Sequence, residues 1–201
     1  MSDRRFSEYA ARNAEPILEI LEYEFRSASQ VLEIGSGTGQ HAVSFAAALD
    51  HLHWQTSDLE ENHAAITEWL DFAELDNVSP PLSMDVRVAS VDGGSYDAVF
   101  SSNTAHIMGV DAVERMFVLV GRALRVGGVF CLYGPFRQAG AFNSPSNAAF
   151  DESLRQRGAD MGIRDIEKLD TFASAAGMHR TRFYAVPSNN NVAVWNKGDN
   201  T

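Results

Sequence analysis

The sequence predicts an α/β fold: a Rossmann-like, doubly wound sheet of seven strands, mostly parallel, with an antiparallel strand from a C-terminal hairpin. Three observations predict it. Gly35-Ser36-Gly37-Thr38-Gly39 joins the apolar run 31–34 to the helix-like stretch 40–46. Such a loop is the first βα turn of a doubly wound sheet, where glycine supplies φ > 0 and lets a ligand approach without meeting a Cβ. Strand-like and helix-like runs then alternate without internal repeat or low-complexity linker, as in a parallel sheet built from βαβ units. Near the end the alternation breaks. The extended runs 181–186 and 192–195 are separated only by 187–191; a parallel partner needs a crossover of about a dozen residues, so these two pair as a hairpin.

Taken in order, Asn13 caps a first helix with Pro16 near its first turn and with Ile17, Ile20, Leu21 and Phe25 on one face. The glycine-loop strand and a helix to Leu49 follow. Residues 52–56, closed by Asp58, form the second strand, and Ala65, Ile66, Trp69, Leu70 and Ala73 then repeat with a helical period. Residues 82–86 read as the third strand and 96–100 as the fourth. Asp111, with Glu114 three residues on, predicts a capping-box start to a helix that buries Val113, Met116, Phe117, Val120 and Leu124 and stops at Gly127-Gly128. Residues 129–133 are continuously apolar, which marks a central fifth strand. Two further helices, one opening near Ser146 and one capped by Asp165 with Ile166, Leu169, Phe172 and Ala173 on one face, precede the hairpin. The polar tail 196–201 is expected to fray.

Composition bounds the rest. A chain of 201 residues with 45% apolar content suffices for one core and not comfortably for two, so 1–201 is read as a single domain, with 1–28 as an N-terminal helix and lid. A net charge of −11 disfavours nucleic acid, whose binders carry a basic stripe, because the arginine pairs here are short and flanked by acids. A lone Cys131 fits a reducing compartment. No apolar run approaches the roughly 18 to 20 residues of a membrane span, and the N-terminus lacks a secretory apolar region, so a cytoplasmic location is expected. Histidines and the cysteine show no metal-ligand spacing. The oligomeric state is not legible.

Spacing separates two cofactors. A dinucleotide fingerprint wants Gly or Ala at the sixth place of G-x-G-x-x-G, and Gln40 stands there. Glu33, two positions before the first glycine, suits a ligand carrying an amino group or sulfonium better than a pyrophosphate. The combination favours S-adenosylmethionine over NAD. The pattern E-x-G-x-G-x-G of Glu33, Gly35, Gly37 and Gly39 resembles the first motif of class I S-adenosylmethionine-dependent methyltransferases. Further stretches carry a narrower resemblance: ARNAEPIL from Ala11, VLEIGSGTGQHAVSFA from Val31, WQTSD from Trp54, NTAHI from Asn103, YGPF from Tyr133, Ser146-Asn147 with Phe150-Asp151, and GIRDIE from Gly162. Together they resemble the methyltransferase-like protein 26 family over nearly the whole chain. The resemblance implies a methyltransferase fold whose last strand is antiparallel, with S-adenosylmethionine as donor and S-adenosylhomocysteine as product. It supplies no acceptor.

The glycines, with Ser36 and Thr38, are expected at the cofactor, Glu33 beside its amino group, Asp58 with Leu59 at the ribose. Asp85 with Val86, at the end of the third strand, suits the adenine. Arg12 and Asn13, from the N-terminal lid, can reach the methionine end, with Arg12 on its carboxylate. Asn103 and His106 follow the fourth strand, over the place of the transferable methyl. In amino methyltransferases acting on planar nitrogens that segment reads Asp or Asn, Pro, Pro, aromatic, and only the leading Asn103 matches. Asn103 would orient the methionine end or the acceptor; His106, with an ordinary pKa near neutrality, would remove a proton. Tyr133, Phe136, Asn147, Arg164 and Asn190 are candidate contacts of a small-molecule acceptor. Two other readings remain: a non-catalytic cofactor- or partner-binding protein on the same fold, kept open by the altered 103–106 segment, and an NAD-dependent oxidoreductase, opposed by Gln40 and by the hairpin.

Overall fold

A computed structural model of the chain describes residues 4–199. Its main sheet has seven strands in the order β3-β2-β1-β4-β5-β10-β9. The strands are β1 (Gln30–Ile34), β2 (His53–Asp58), β3 (Val78–Ser83), β4 (Tyr96–Ser102), β5 (Leu124–Gly134), β9 (Met178–Val186) and β10 (Asn190–Lys197). β1 to β5 run parallel, and β10 lies antiparallel between β5 and β9. The helices are α1 (Glu8–Glu24), α2 (Gln40–Ala48), α3 (His63–Ala73), α4 (Val110–Ala123), α5 (Pro145–Arg157) and α6 (Ile166–Ala175).

Two buried clusters hold the layers together. Ile17 and Leu21 of α1 and Phe45 of α2 pack with Trp54, Phe100 and Cys131 in one; Val113, Met116, Phe117 and Val120 of α4 pack with Leu169 of α6, Phe130 and Trp195 in the other. Alternation along β5 and β10 explains the division, since Phe130 and Leu132 face α4 while Cys131 and Tyr133 face α1. The positions repeating along the α4 sequence, Val113, Met116, Phe117 and Val120, are fully buried.

Several boundaries differ from the sequence expectation. α1 begins at Glu8, where the Ser7 hydroxyl accepts from the Ala10 N–H at 3.2 Å, so Pro16 lies inside the helix and Asn13 is not its cap. β3 ends at Ser83 and contains Pro80-Pro81, tolerated because it is an edge strand; Asp85 falls in the following turn. α4 is capped by Gly109, two residues before the expected capping-box start at Asp111, and gives way at Leu124 directly to β5, with Gly127 left-handed inside that strand. Asn196 and Lys197, expected to fray, belong to β10: Asn196 pairs with Val129 and His179, and the Lys197 ammonium donates to the Ala176 carbonyl at 2.8 Å. A small sheet of β6 (Phe136–Gln138), β7 (Ala141–Phe142) and β8 (Arg164–Asp165) was not foreseen.

Candidate active site

The glycine loop leaves β1 at the carboxyl edge of the sheet. Gly35, Gly37 and Gly39 all have left-handed φ, at 74°, 62° and 88°, and each serves a different need. A Cβ on Gly35 would lie 2.5 Å from Thr104 Cγ2, and one on Gly39 would press the Ile66 backbone at 3.2 Å, so these two allow close packing against the β4–α4 loop and α3. A Cβ on Gly37 would meet nothing within 4 Å. It would project into a cavity of about 590 Å³ lined by Arg5 to Ala10, Gly35 to Thr38, His41, Asn62, Ser102 and Asn103. That volume suits a small-molecule ligand.

Acids support the loop from beneath. The Glu33 carboxylate is buried and accepts from the Ser36 hydroxyl at 2.8 Å and the Trp54 indole N–H at 3.1 Å, both on Oε2. Burial raises its pKa from 4.5 to about 7, the Asp58 charge adds to the rise, and the two hydrogen bonds oppose it. Asp58 ends β2. Its Oδ2 accepts from the Gly37 N–H at 2.7 Å, and its Oδ1 accepts from the Leu59 N–H at 2.7 Å and from Asn62 Nδ2 at 2.8 Å. The carboxylate therefore shapes the loop, and Oδ2, holding one hydrogen bond, keeps acceptor capacity for a ligand hydroxyl.

The N-terminal segment forms the outer wall. The Ser7 N–H donates to Gln40 Oε1 at 2.5 Å while Gln40 Nε2 donates to the Ser7 carbonyl at 3.3 Å, and the Thr38 hydroxyl reaches the same Oε1 at 3.1 Å. His41 joins α2 to α1 through Nε2 and Asn13 Oδ1, 2.7 Å apart, with its ring stacked on Phe45. Burial lowers the His41 pKa from 6.5 to about 4, so the ring is neutral. Arg12 lies outside the cavity lining, over the exposed Tyr9 ring; the expectation that it reaches into the site is corrected.

At the end of β4, Asn103 has φ 59° and faces the cavity, its N–H bonded to the Tyr133 carbonyl at 2.9 Å. A non-glycine residue held left-handed at a cavity wall is a local strain of the kind concentrated at functional sites. His106 is buried with its ring edge-on to Phe150 at 5.4 Å. Burial, then the charges of Arg164 and Arg157, lower its pKa to about 4, which corrects the expectation of titration near neutrality.

The chain belongs to the DUF938 family, described as proteins of unknown function. The family's sequence profile matches residues 4–197. Solved structures of similar shape include an O-methyltransferase family protein from Burkholderia thailandensis, at 13% identity and a TM-score of 0.83, with 96% of this chain and 58% of that one covered. Mitomycin 7-O-methyltransferase matches at 15% identity and a TM-score of 0.81, covering 94% of this chain and 55% of that one. Human N-acetylserotonin methyltransferase, in complex with SAM, matches at 13% and 0.80, covering 96% and 53%. This DUF938 chain thus spans little more than half the length of those proteins, and the likeness is one of fold.

The remaining expected residues of the DUF938 site fall into two sets. Tyr133 and Asn190 come together, Asn190 Nδ2 donating to the Tyr133 hydroxyl at 2.9 Å beneath the carboxyl edge. Asp85 does not join the cavity: its carboxylate pairs with Arg87 at 2.6 Å, which lowers its pKa, while Val86 packs into the core. Phe136, expected at the acceptor, is buried in the core against Phe183. Asn147 donates to Asn143 Oδ1 at 2.8 Å and to the Asn189 carbonyl at 2.9 Å, tying α5 to the hairpin turn. Arg164 donates to the carbonyls of Ala105, Met108 and Asp160, bracing the loop that carries His106. The sequence reading missed Ser7, Gln40 and Asn62. Gln40 alone carried a signal, as the side chain standing where a dinucleotide loop has none.

Proposed function

We propose that the protein is an S-adenosylmethionine-dependent methyltransferase acting on a small-molecule acceptor, and that residues 1–201 form one such domain, of the methyltransferase-like protein 26 family that its sequence resembles. The observation that carries this is Gly37, whose missing side chain opens a ligand-sized cavity over the glycine loop at the carboxyl edge. The antiparallel β10 between β5 and β9 supports a methyltransferase sheet over a dinucleotide one. The SAM complex of human N-acetylserotonin methyltransferase, on a similar fold, supports the cofactor.

The residues present fit the cofactor. The backbone of Gly35 to Gly39, with Ser36 and Thr38, would hold its methionine end and ribose edge; Glu33, buried beneath the loop with its pKa raised to about 7, would be drawn to its charged form by the ligand's cationic groups; Asp58, beside Leu59, keeps an acceptor for a ribose hydroxyl. Arg12 and Asp85, turned to other partners, are left out of this assignment, and Asn13 acts through His41. When bound, the sulfonium supplies an already activated methyl group. The protein has then to align the acceptor, exclude water and remove a proton where the acceptor carries one. Asn103 orients the acceptor from the cavity wall. We assign proton removal to His106 on its place in the loop that leads on from Asn103; the ring is buried outside the cavity lining and, with a pKa near 4, is neutral but a weak base, so it would have to turn toward the acceptor to act. The net charge of −11 supports a small acceptor over nucleic acid, and the buried, lone Cys131 supports work in a reducing, cytoplasmic setting.

Calorimetry with S-adenosylmethionine, S-adenosylhomocysteine and NADH tests the cofactor. Binding of both sulfur ligands is expected; binding of NADH alone would overturn the reading. Incubating cell metabolites with labelled donor and identifying the labelled product by mass then tests transfer. Binding with no labelled product from any acceptor would convert the enzyme into a binding protein.

A further inference from the structure

We propose that Gln40 is the latch of an N-terminal strap, residues 5–10, that closes the ligand cavity and must lift for ligand to enter or leave. This rests on the cofactor reading above for the identity of the ligand, but not for the strap itself.

The strap is one wall of the cavity, opposite the glycine loop. It is pinned at two separate points. At one, the Gln40 side-chain amide pairs with both backbone groups of Ser7, accepting its N–H at 2.5 Å and donating to its carbonyl at 3.3 Å, as a neighbouring β-strand would. At the other, Trp69 of α3 donates its indole N–H to the Arg5 carbonyl at 2.9 Å, with Phe6 against the same ring at 6.4 Å and Arg4 stacked over Phe72 at 3.4 Å. Both pins are long-range, since Ser7 and Gln40 are 33 residues apart and Arg5 and Trp69 are 64 apart.

The pins are of a strength that a protein can open. Phe6 is 60% exposed and Tyr9 73% exposed, so the strap buries little apolar surface. A segment with few buried contacts and a handful of hydrogen bonds sits at the low-stability end of a fold and opens locally without global unfolding. Ser7 also caps α1, so lifting the strap frays the first turn of that helix and stops at Asn13, where His41 holds the helix down. Gln40 touches the loop as well as the strap, through the Thr38 hydroxyl. The residue that takes the place of the third fingerprint glycine therefore couples ligand seating to closure. It is a positioning residue; it reports on the glycine loop to the strap.

Arg4 and Arg5 make the strap's opening directly measurable, because trypsin must draw an arginine and its flanking backbone away from Trp69 and Phe72 to cut there. Limited trypsin digestion of the ligand-free protein, followed by mass spectrometry of the N-terminus, reads the open population. Stopped-flow dissociation of S-adenosylhomocysteine reads exit. Gln40→Ala removes both hydrogen bonds to the strap, as well as the one from Thr38, so cleavage at Arg4 or Arg5 and ligand dissociation should both quicken by about tenfold. Gln40→Glu keeps the acceptor for the Ser7 N–H and should fall between parent and Gln40→Ala. Trp69→Phe, away from the cavity, should quicken both as well, and thermal unfolding of each variant confirms that the fold is retained. Saturating S-adenosylhomocysteine should protect the parent from cleavage. If the ligand binds but neither protects the strap nor leaves faster from Gln40→Ala, the latch is refuted and the cofactor reading stands. If the ligand fails to bind, the cofactor reading falls, and the ligand-free cleavage rates decide the latch: equal rates in parent, Gln40→Ala and Trp69→Phe refute it.

Discussion

Substituting the first and second glycines of the loop should separate folding from binding. Both are left-handed, so an L-residue at either costs roughly 1–2 kcal/mol of backbone strain. At Gly37 that is the whole cost, because the new Cβ meets nothing within 4 Å. At Gly35 the Cβ would stand 2.5 Å from Thr104 Cγ2, and Thr104 cannot easily turn away: it is buried, with its hydroxyl 2.7 Å from the Ser101 hydroxyl, which in turn donates to the Ile34 carbonyl at 2.7 Å. Overpacking of that kind adds about 1–3 kcal/mol, so Gly35→Ala should cost about 2–5 kcal/mol in all. Urea unfolding should therefore rank parent, Gly37→Ala and Gly35→Ala in falling stability. Binding should not follow the same order. Gly37→Val, whose side chain fills the mouth of the cavity, should lose S-adenosylhomocysteine in calorimetry while its unfolding transition stays cooperative. If Gly37→Val binds with the parent's affinity, the open space over Gly37 is not where the ligand lies. If Gly35→Ala is as stable as Gly37→Ala, the packing argument for that glycine is wrong.

Other outcomes follow from the same geometry. Because burial raises Glu33 from 4.5 to about 7, the folded state holds its proton more tightly than the unfolded chain; stability is full below pH 4.5 and falls as pH rises through 7. Glu33→Gln should remove that fall, matching the parent near pH 4 and exceeding it at pH 8 by up to about 3 kcal/mol in urea unfolding; identical profiles would show that the carboxyl is not perturbed. Asp58→Ala should weaken S-adenosylhomocysteine by about 1–3 kcal/mol and also lower the melting temperature, since the donors of Gly37, Leu59 and Asn62 lose their partner. Loss of stability with unchanged affinity would confine Asp58 to shaping the loop. His106→Ala should leave cofactor affinity intact while lowering turnover on an identified acceptor by roughly 10²- to 10⁴-fold. With the imidazole pKa near 4, the parent's activity should show no His106 acid limb between pH 7 and 5; a limb near 6.5 that vanishes in His106→Ala would contradict the buried, neutral ring.

What the sequence disclosed and what it hid divide along range of interaction. β1, β2, β4, β5 and the hairpin were legible because their apolar runs are local patterns, and the glycine loop because its spacing is. β3 was misplaced because Pro80-Pro81 reads as a breaker, and only the neighbour relations of the sheet reveal that this strand lies at the edge, where missing N–H donors are tolerated. The start of α1 was misplaced because Pro16 suits a first turn, whereas the Ser7 cap and the contacts of α1 with α2 carry the helix through it. Asp85 illustrates the opposite error. Its position near a strand end suggested a ligand contact, yet Arg87, two residues on, takes both carboxylate oxygens. The Gln40–Ser7 pair had no local signature, since nothing in either segment names a partner 33 residues away.

The hairpin shows how one topological choice serves both fold and site. Because β10 runs against β5, its first residues lie beside the last residues of β5: Asn191 pairs with Gly134 and Val192 with Tyr133. The turn before β10 therefore arrives at the carboxyl edge, the same edge on which Asn103 and the glycine loop stand. A parallel strand in that position would bring its C-terminal end there and carry the chain away from the site. Asn190 uses the arrival to donate to the Tyr133 hydroxyl, and the Asn189 carbonyl, beside it, accepts from both Asn143 and Asn147. The asparagines read from sequence as acceptor contacts are thus the joints that fasten α5 and the hairpin to the end of β5. Tyr133 is the common member: its carbonyl holds Asn103 in the left-handed region, and its hydroxyl holds the hairpin. The wall that presents Asn103 to the cavity is rigid because the antiparallel strand delivers its fastenings to that edge.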